Sequence, residues 1–439
     1  MNILLIHPKM NNGPVTKNDR GTLREKLMSN PELTLPSVAA AIPKGHTIRI
    51  IHENYEDIDY SEKYDLVGIS CFTMFAPQVY EIADKFRKMG IPVVLGGYHP
   101  TALPKEAKQH ADSVVIGEAE LSFPCLIEDL EKNNLRAFYK AEKQVEPKDI
   151  PPLRRDLLIY HPITEGIAIS RGCYNHCEFC SITNFYKHSY RKRPINNVIK
   201  ELKSLSRKVI LIHDANLTAD LEYSKSLFKE MIKSSVRKKW FGNGTIFVLG
   251  ENEEFLQLAK KAGCIGWTIG FESFCQESLN EAKKFANKVE KYQEWIRVIR
   301  KYGMGINGLF MFGFDHDKPD IFDNTITALS DLEIDAAEFN IITPLPGTPF
   351  YEKIKRNKRL LTKDWGKYTQ TQVVFKPKNM TPEELYAGTR NVIKSFYTPS
   401  AMYKRWIRLL KLSFDPVQIS TIVTMDYSRR VWYKKEFRL

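Results

Sequence analysis

Short, almost wholly apolar runs recur through this chain, separated by stretches with helical spacing, and this alternation restricts the fold more than any other feature. Residues 3–6, 46–51, 66–70, 93–95 and 113–116 read as strands. Residues 35–42 and 78–89 read as helices, the second halted by Gly90. Strands that are apolar on both faces belong to parallel sheets covered by helices on either side. Ligands of such sheets sit beyond the carboxyl ends of the strands. Here those ends carry Ser70-Cys71-Phe72-Thr73, Gly96-Gly97-Tyr98-His99-Pro100 and Gly117-Glu118, a ledge of small and polar residues large enough for a cofactor.

Residues 147–162 interrupt the pattern with proline and charge around Pro151-Pro152 and read as a linker. The alternation then resumes, with strands expected at 166–170, 209–212, 245–249, 266–271, 305–312 and 338–342. Helical spacing lies between them, as at 254–262 and 292–302. Six strand–helix units suggest an incomplete parallel barrel, whose reactive groups sit on the loops after its strands. The expected architecture is α/β. A Rossmann-like parallel-sheet domain (1–142) leads through a linker (143–162) to a partial (β/α)6 TIM-like barrel (163–375). A helical, basic and aromatic-rich extension (376–439) follows.

Composition fits a soluble globular protein, with 43% hydrophobic and 27% charged residues among 439. No apolar run reaches the roughly 18 residues of a membrane-spanning helix. The opening Met1-Asn-Ile-Leu-Leu-Ile-His lacks the basic and long apolar regions of a signal peptide, so a cytoplasmic location is expected. Net charge is +13, which permits contact with phosphates, anionic lipids or nucleic acid without selecting one. Part of the excess is local: residues 396–439 hold nine Lys or Arg against three acids, interleaved with Tyr403, Trp406, Tyr427, Trp432, Tyr433 and Phe437. One reading is a solvated tail with aromatic feet in the core. The other is a peripheral contact with the inner face of a membrane or with a lipid. Nucleic acid is not the expected partner.

Of seven cysteines, three crowd into Arg171-Gly-Cys-Tyr-Asn-His-Cys-Glu-Phe-Cys180, giving the spacing C-x3-C-x2-C directly after a strand. Cys71, Cys125, Cys264 and Cys275 are scattered and read as small core hydrophobes. Structural zinc takes four ligands, usually in two pairs, and no second pair completes this set. A cubane iron–sulfur cluster also takes four ligands. Cys173, Cys177 and Cys180 would therefore hold three irons and leave the fourth open, which marks a catalytic site. His176, inside the loop, reads as a solvent-side residue rather than a ligand.

On these residues the chain resembles the radical S-adenosylmethionine superfamily. The resemblance implies a [4Fe–4S] cluster on Cys173, Cys177 and Cys180, whose open iron binds the amino and carboxylate groups of S-adenosylmethionine. Reductive cleavage then gives a 5′-deoxyadenosyl radical that abstracts hydrogen. Ile212-His-Asp-Ala-Asn-Leu-Thr-Ala-Asp220 is similar to the family's second-strand motif, with Ala215 where a second Asp is usual. It implies that Asp214 holds the ligand ammonium, whereas Asp220 reads as a helix N-cap. Gly270-Phe-Glu-Ser273 is similar to the fourth-strand motif and implies Glu272 and Ser273 at the ribose or methionine end. Phe312-Gly-Phe-Asp-His-Asp317 and Thr343-Pro-Leu-Pro-Gly-Thr-Pro349 resemble the fifth- and sixth-strand ends, the first lining the active site and the second a shaping turn.

The preceding domain and the entry segment Arg154-Arg-Asp-Leu-Leu158 resemble the cobalamin-binding branch, nearest the subgroup of methylases and ring-forming enzymes that includes the hopanoid methylase. That resemblance spans roughly residues 1–395, including Asp364-Trp365, Tyr368 and residues 377–385. It implies cobalamin on the ledge of Ser70, Thr73, Gly96, Gly97, Tyr98, Gly117 and Glu118. The D-x-H-x-x-G motif is absent, because Pro100-Thr101-Ala102 follow His99, so no histidine of this domain would ligate cobalt. Taken alone, the glycine loops would equally suit a nucleotide or no ligand.

The expected function is a cobalamin-dependent radical C-methyltransferase acting on an unactivated carbon of a small molecule, with lipid or isoprenoid the favoured class. Its electron donor would be a ferredoxin or flavodoxin. The alternatives are a cobalamin-dependent cyclase, rearrangement or oxidation enzyme, and a non-catalytic iron–sulfur or cobalamin sensor.

Overall fold

The structure is a computed structural model describing residues 1–10, 17–20, 22–29, 31–160 and 162–437. His161 of the linker and Arg438 and Leu439 of the tail lie outside the described residues.

The first six strands are β1 (Asn2–His7), β2 (Thr47–His52), β3 (Leu66–Ser70), β4 (Val93–Gly96), β5 (Ser113–Ile116) and β6 (Phe138–Lys140). They form one parallel sheet in the order β2-β1-β3-β4-β5-β6. Successive side chains alternate between faces. Leu4, Ile6, Val67, Ile69 and Leu95 share one core with Val79, Ala83 and Phe86 of helix Ala76–Lys88. Ile3, Leu5, Leu66, Val94 and Val115 share the other with Leu35 and Ala39 of helix Thr34–Ala41 and with Phe123, Leu126 and Ile127 of helix Ala119–Glu131. Each such side chain contributes about 1.5–3 kcal/mol when buried, so both faces demand cover. The apolar runs expressed that demand. β6 escaped notice because only Tyr139 of its three residues is buried.

The second sheet holds β7 (Thr164–Ile167), β10 (Val209–Ile212), β11 (Lys239–Gly244), β12 (Cys264–Glu272), β13 (Gly305–Phe312) and β14 (Ala336–Ile341). Between β7 and β10 lies an antiparallel hairpin of β8 (Ser170–Gly172) and β9 (Tyr190–Lys192). The sheet order is β14-β13-β12-β11-β10-β7, parallel throughout. Among the described residues its two end strands do not pair with each other, so the sheet is a curled half-barrel.

The expected strand at 245–249 is corrected by the structure: the strand is β11, and residues Ile246–Glu251 form a helix. A short apolar run does not by itself separate strand from buried helix. The run Thr245-Ile-Phe-Val-Leu-Gly250 buries Ile246, Leu249 and Gly250 at helical spacing, Gly250 packing on the Trp295 ring. The true strand, Lys-Trp-Phe-Gly-Asn-Gly, carries too much glycine and polarity to read as one.

Three helices, Pro382–Phe396, Pro399–Leu412 and Pro416–Glu436, follow the half-barrel. The first and third cover its open edge at β14, which would otherwise expose unpaired backbone groups. Tyr433 Oη accepts from Phe339 N at 2.6 Å and donates to Phe339 O at 3.0 Å. Tyr397 Oη donates to Ala337 O. Of the tail aromatics, Tyr433 and Phe437 are thus set in the core and Trp406 and Trp432 pack against it, whereas Tyr403 and Tyr427 are exposed. Tyr351, Trp365 and Tyr368, from beyond β14, pack back onto the first sheet.

Candidate active site

The three clustered cysteines lie on the loop that leaves β8 and enters the short helix Ser181–Phe185. Gly172 precedes the first of them with φ +86°, and a Cβ there would stand 2.0 Å from Ser189 O, so the hairpin closes only on glycine. Cys173 and Cys177 are buried and Cys180 half-buried. Burial raises the Cys173 thiol and pushes that of Cys177 up to about 11. Cys180 N donates to Cys177 O at 3.1 Å, closing the loop on itself. His176 is exposed and stacks on His188, as a solvent-side residue should.

Glu272 ends β12 in the left-handed region, at φ +66°, where the register with β13 shifts. A non-glycine residue held there costs roughly 1–3 kcal/mol and needs its surroundings to enforce it. The partner is Lys284, whose Nζ lies 2.8 Å from Glu272 Oε1. A Cβ on Gly270 would come within 2.3 Å of that carboxylate oxygen and 3.2 Å of the ammonium, so the strand end is glycine to admit the pair. Burial opposes the charge on Lys284. The fields of Glu272, Cys177 and Cys180 outweigh it and hold the ammonium above the ordinary lysine value. In return Lys284 pulls the Cys173 and Cys177 thiols down. A half-buried cation therefore sits within electrostatic reach of all three cysteines. Lys284 was not foreseen, since the second of two adjacent lysines, twelve residues beyond the end of β12, has no spacing to mark it.

Asp214 is buried at the end of β10. Its carboxylate accepts from Ile169 N at 2.7 Å and from Ser170 Oγ, tying the strand end to the start of the cysteine loop. Burial pushes its carboxyl up to about 6. Both oxygens thus serve the loop's own backbone and side chain. Asp220 caps helix Leu221–Lys233 by accepting from Tyr223 N at 2.9 Å. Ser273 is buried, its Oγ accepting from Cys275 N at 3.0 Å in the turn after Glu272. Asp317 accepts from Ser278 Oγ, Gly313 N and Phe314 N, so the fifth-strand motif is built around an internal cap. The turn after β14 shapes both neighbours: Phe350 N donates to Glu178 O of the cysteine loop, and Pro346 O accepts from Tyr98 Oη of the ledge at 2.7 Å.

A cavity of about 510 Å³ lies between the ledge and the cysteine loop. Ser70, Gly96, Gly97, Tyr98, Gly117 and Glu118 line one side, and Ser170, Arg171, Gly172, Ser181 and Ile182 the other. The cavity also runs down the sheet face as an apolar slot along Leu5, Gly68, Val94, Val115 and Phe123. Thr73 stands apart from the other ledge residues: it is buried against His99 Nδ1 at 3.3 Å and does not line the cavity. His99 is wholly buried among Thr73, Tyr80 and Glu106 and does not line it either. Glu118 lines the cavity, but its carboxylate is bound to Arg171 Nη1 at 2.7 Å and Arg191 Nη1 at 2.9 Å. Arg171 also pairs with Glu120. These buried ion pairs join the ledge to the residue two before Cys173. Two of the scattered cysteines, Cys71 and Cys264, are core residues as expected, while Cys125 is exposed and Cys275 half-buried.

The donor set fits a cluster with one open iron: three thiols on one loop, a cation nearby to favour their thiolates, and no fourth ligand on the loop. The glycine-floored ledge above an apolar slot fits a broad, flat group with a long tail. The half-barrel thus sets a three-cysteine loop beside a cavity whose far side is such a ledge, with Gly172 and Ser181, rather than the cysteines themselves, on its lining.

Comparison with known proteins gives the family. Residues 167–329 match the radical SAM superfamily, residues 30–127 the B12 binding domain, and residues 348–425 a domain of unknown function, DUF4070. The bacteriochlorophyllide d C-12(1)-methyltransferase of Chlorobaculum tepidum is 30% identical over 388 residues, covering 85% of this chain and 84% of the relative. The hopanoid C-2 methylase of Rhodopseudomonas palustris is 22% identical, covering 86% and 73%. The solved structure of the radical S-adenosylmethionine methyltransferase TsrM from Kitasatospora setae, with cobalamin and a [4Fe–4S] cluster bound, shares the fold with a TM-score of 0.69 at 16% identity, covering 91% and 89%. The chain belongs to the cobalamin-binding branch of the radical S-adenosylmethionine superfamily. It is a radical enzyme whose cofactors are a [4Fe–4S] cluster, S-adenosylmethionine and cobalamin.

Proposed function

We propose that this protein is a C-methyltransferase acting on an unactivated carbon of a largely apolar small molecule, with a lipid or isoprenoid as the substrate class. The observation that carries the proposal is one cavity bounded by the cobalamin ledge and by the residues on either side of the three cysteines, Ser170 to Gly172 and Ser181 to Ile182, which sets the two cofactor sites next to each other. When bound there, cobalamin supplies a transferable methyl group, and the cluster with S-adenosylmethionine supplies the radical that opens an unactivated C–H bond.

The chain's own residues bind, orient and exclude water. Cys173, Cys177 and Cys180 hold the cluster. Glu272 accepts from the ammonium of S-adenosylmethionine, and Lys284 binds its carboxylate, each meeting the opposite charge in a dry site. Asp214 and Ser273 act through the loops they brace. Ser70, Gly96, Gly97, Tyr98, Gly117 and Glu118 shape the cobalamin side, Glu118 by anchoring Arg171, and Thr73 supports the ledge from beneath. The apolar slot keeps water from the reacting carbon.

A hydrophobic substrate is supported by the hopanoid methylase among the relatives. The bacteriochlorophyllide methyltransferase makes a tetrapyrrole the rival class. Electrons would come from a ferredoxin or flavodoxin, and the C-terminal extension would meet a membrane from the cytoplasmic side.

The test is anaerobic turnover of cofactor-loaded protein with methyl-labelled S-adenosylmethionine, on lipid extracts from cells lacking the gene. Labelled product, together with S-adenosylhomocysteine and 5′-deoxyadenosine, is expected. 5′-Deoxyadenosine with an unlabelled, cyclised or rearranged product would establish the alternative enzyme class. Label entering only a tetrapyrrole fraction would replace the lipid assignment, and no 5′-deoxyadenosine at all would leave the sensor reading.

A further inference from the structure

Helix Pro399–Leu412 has two faces of opposite fate. Met402, Arg405 and Leu409 point inward and are buried. At about 100° per residue, Tyr403, Ile407 and Leu410 fall within an arc of about 60° on the opposite side. All three are exposed, and the arc points on to Phe414, which is 94% exposed in the turn before the next helix. Phe414 thus presents nearly its whole ring to solvent. Continuous with three further apolar side chains, it forms a patch that solvent alone does not favour.

Charge beside the patch says what covers it. Lys404 and Lys411 lie next to the apolar arc and are exposed. Asp415, the acid adjoining Phe414, is neutralised by Lys239 Nζ at 2.6 Å, so the rim carries net positive charge. The whole chain carries +13. An apolar stripe with a large aromatic at its tip and lysines along its flank matches the interface of a bilayer bearing anionic lipid.

The mounting is rigid. Arg405 Nη2 meets Asp426 Oδ1 and Oδ2 at 2.9 and 3.0 Å, clamping this helix to Pro416–Glu436. Leu409 packs with Val209, Phe241 and Ile265, near the amino ends of β10, β11 and β12. The patch therefore sits at the end of the half-barrel opposite the cysteine loop.

We infer that Tyr403, Ile407, Leu410 and Phe414, with Lys404 and Lys411, form a docking face for an anionic bilayer surface, and that docking leaves the active-site end turned away from the lipid. The inference goes beyond the proposed function by naming the face and the lipid charge, and it holds whatever the substrate. Its consequence is an anchor that leaves the active-site end open to the aqueous side, from which an electron donor approaches.

The test is co-sedimentation of the full-length, cluster-loaded protein with vesicles of phosphatidylcholine alone or mixed with phosphatidylglycerol. Binding to the anionic vesicles is expected, weakening as salt is raised. Phe414→Ser with Leu410→Ser should reduce it by about tenfold or more, since two large side chains lose their burial in lipid. Lys404→Glu with Lys411→Glu should abolish the preference for anionic vesicles. Iron and cobalamin content should stay unchanged in both variants, which separates this outcome from failure of the enzyme assignment. Wild-type protein that ignores both vesicles, or variants that bind as wild type, would overturn the inference. So would a dimer of the wild type that the Phe414 and Leu410 changes convert to monomer, because the face would then be a contact between copies.

Discussion

Replacing Lys284 with Met tests the least expected residue of the site. In the proposed complex its ammonium makes a charge-assisted contact with the carboxylate of S-adenosylmethionine, and such contacts are worth about 1.5–3 kcal/mol. At about 1.4 kcal/mol per decade, losing one weakens binding roughly 10- to 100-fold. Lys284 also neutralises Glu272 across 2.8 Å in a buried setting, and removing one member of such a pair leaves the other uncompensated, at a cost of about 3–5 kcal/mol. The variant to use is therefore Lys284→Met combined with Glu272→Gln, alongside each single change. Equilibrium titration of S-adenosylmethionine into anaerobic, cluster-loaded protein reads the affinity, and iron analysis confirms that the cluster remains. The double variant should keep its iron and lose at least tenfold in affinity. Lys284→Arg, which preserves the charge, should recover part of the loss. Wild-type affinity in the double variant would refute the role given to this pair.

Other consequences are equally open to measurement. Cys173→Ala, Cys177→Ala or Cys180→Ala should each abolish the brown absorbance of the reconstituted protein and all formation of 5′-deoxyadenosine; a variant that retains both would remove its cysteine from the ligand set. Arg171→Gln strands the carboxylate of Glu120, Glu118 keeping Arg191, at a cost of about 3–5 kcal/mol, and should loosen retained cobalamin while iron content holds. Adding Glu120→Gln, which removes the stranded charge and leaves Glu118 on Arg191, should restore retention, and failure to do so would mean that the pairing is not what matters. The Asp214 carboxyl is held up to about 6 by burial, above the usual carboxylate range, so the folded protein takes up a proton before the unfolded chain does. Stability contributed by this group is therefore highest below about pH 4 and falls as pH rises to about 6. Asp214→Asn should flatten that slope in thermal melts of the apoprotein, and an unaltered slope would count against the buried, proton-sensitive carboxyl.

Much of this arrangement was legible before any coordinates because it depends on local patterns. The buried strands of the first sheet show as apolar runs since both faces of that sheet are covered, and the cysteine spacing needs only one loop. The strand β11 was misplaced because glycine and lysine dilute it while the neighbouring helix supplies the apolar run. Lys284 and the Arg171–Glu118–Glu120 network were invisible for a different reason. Their meaning lies in contacts between residues 12 to 53 positions apart, and a lone charge in sequence gives no sign of the partner that will bury it. Thr73 illustrates the converse: it stands in a ledge motif, yet the backbone turns its hydroxyl toward His99.

The central claim is that three cysteines hold a [4Fe–4S] cluster whose fourth iron is open to S-adenosylmethionine. Electron paramagnetic resonance of the reduced, anaerobic protein tests it most directly. The account predicts a [4Fe–4S]⁺ signal that changes shape when S-adenosylmethionine is added and vanishes in the Cys177→Ala variant. A signal indifferent to S-adenosylmethionine, or protein that carries zinc in place of iron on these cysteines, would contradict it.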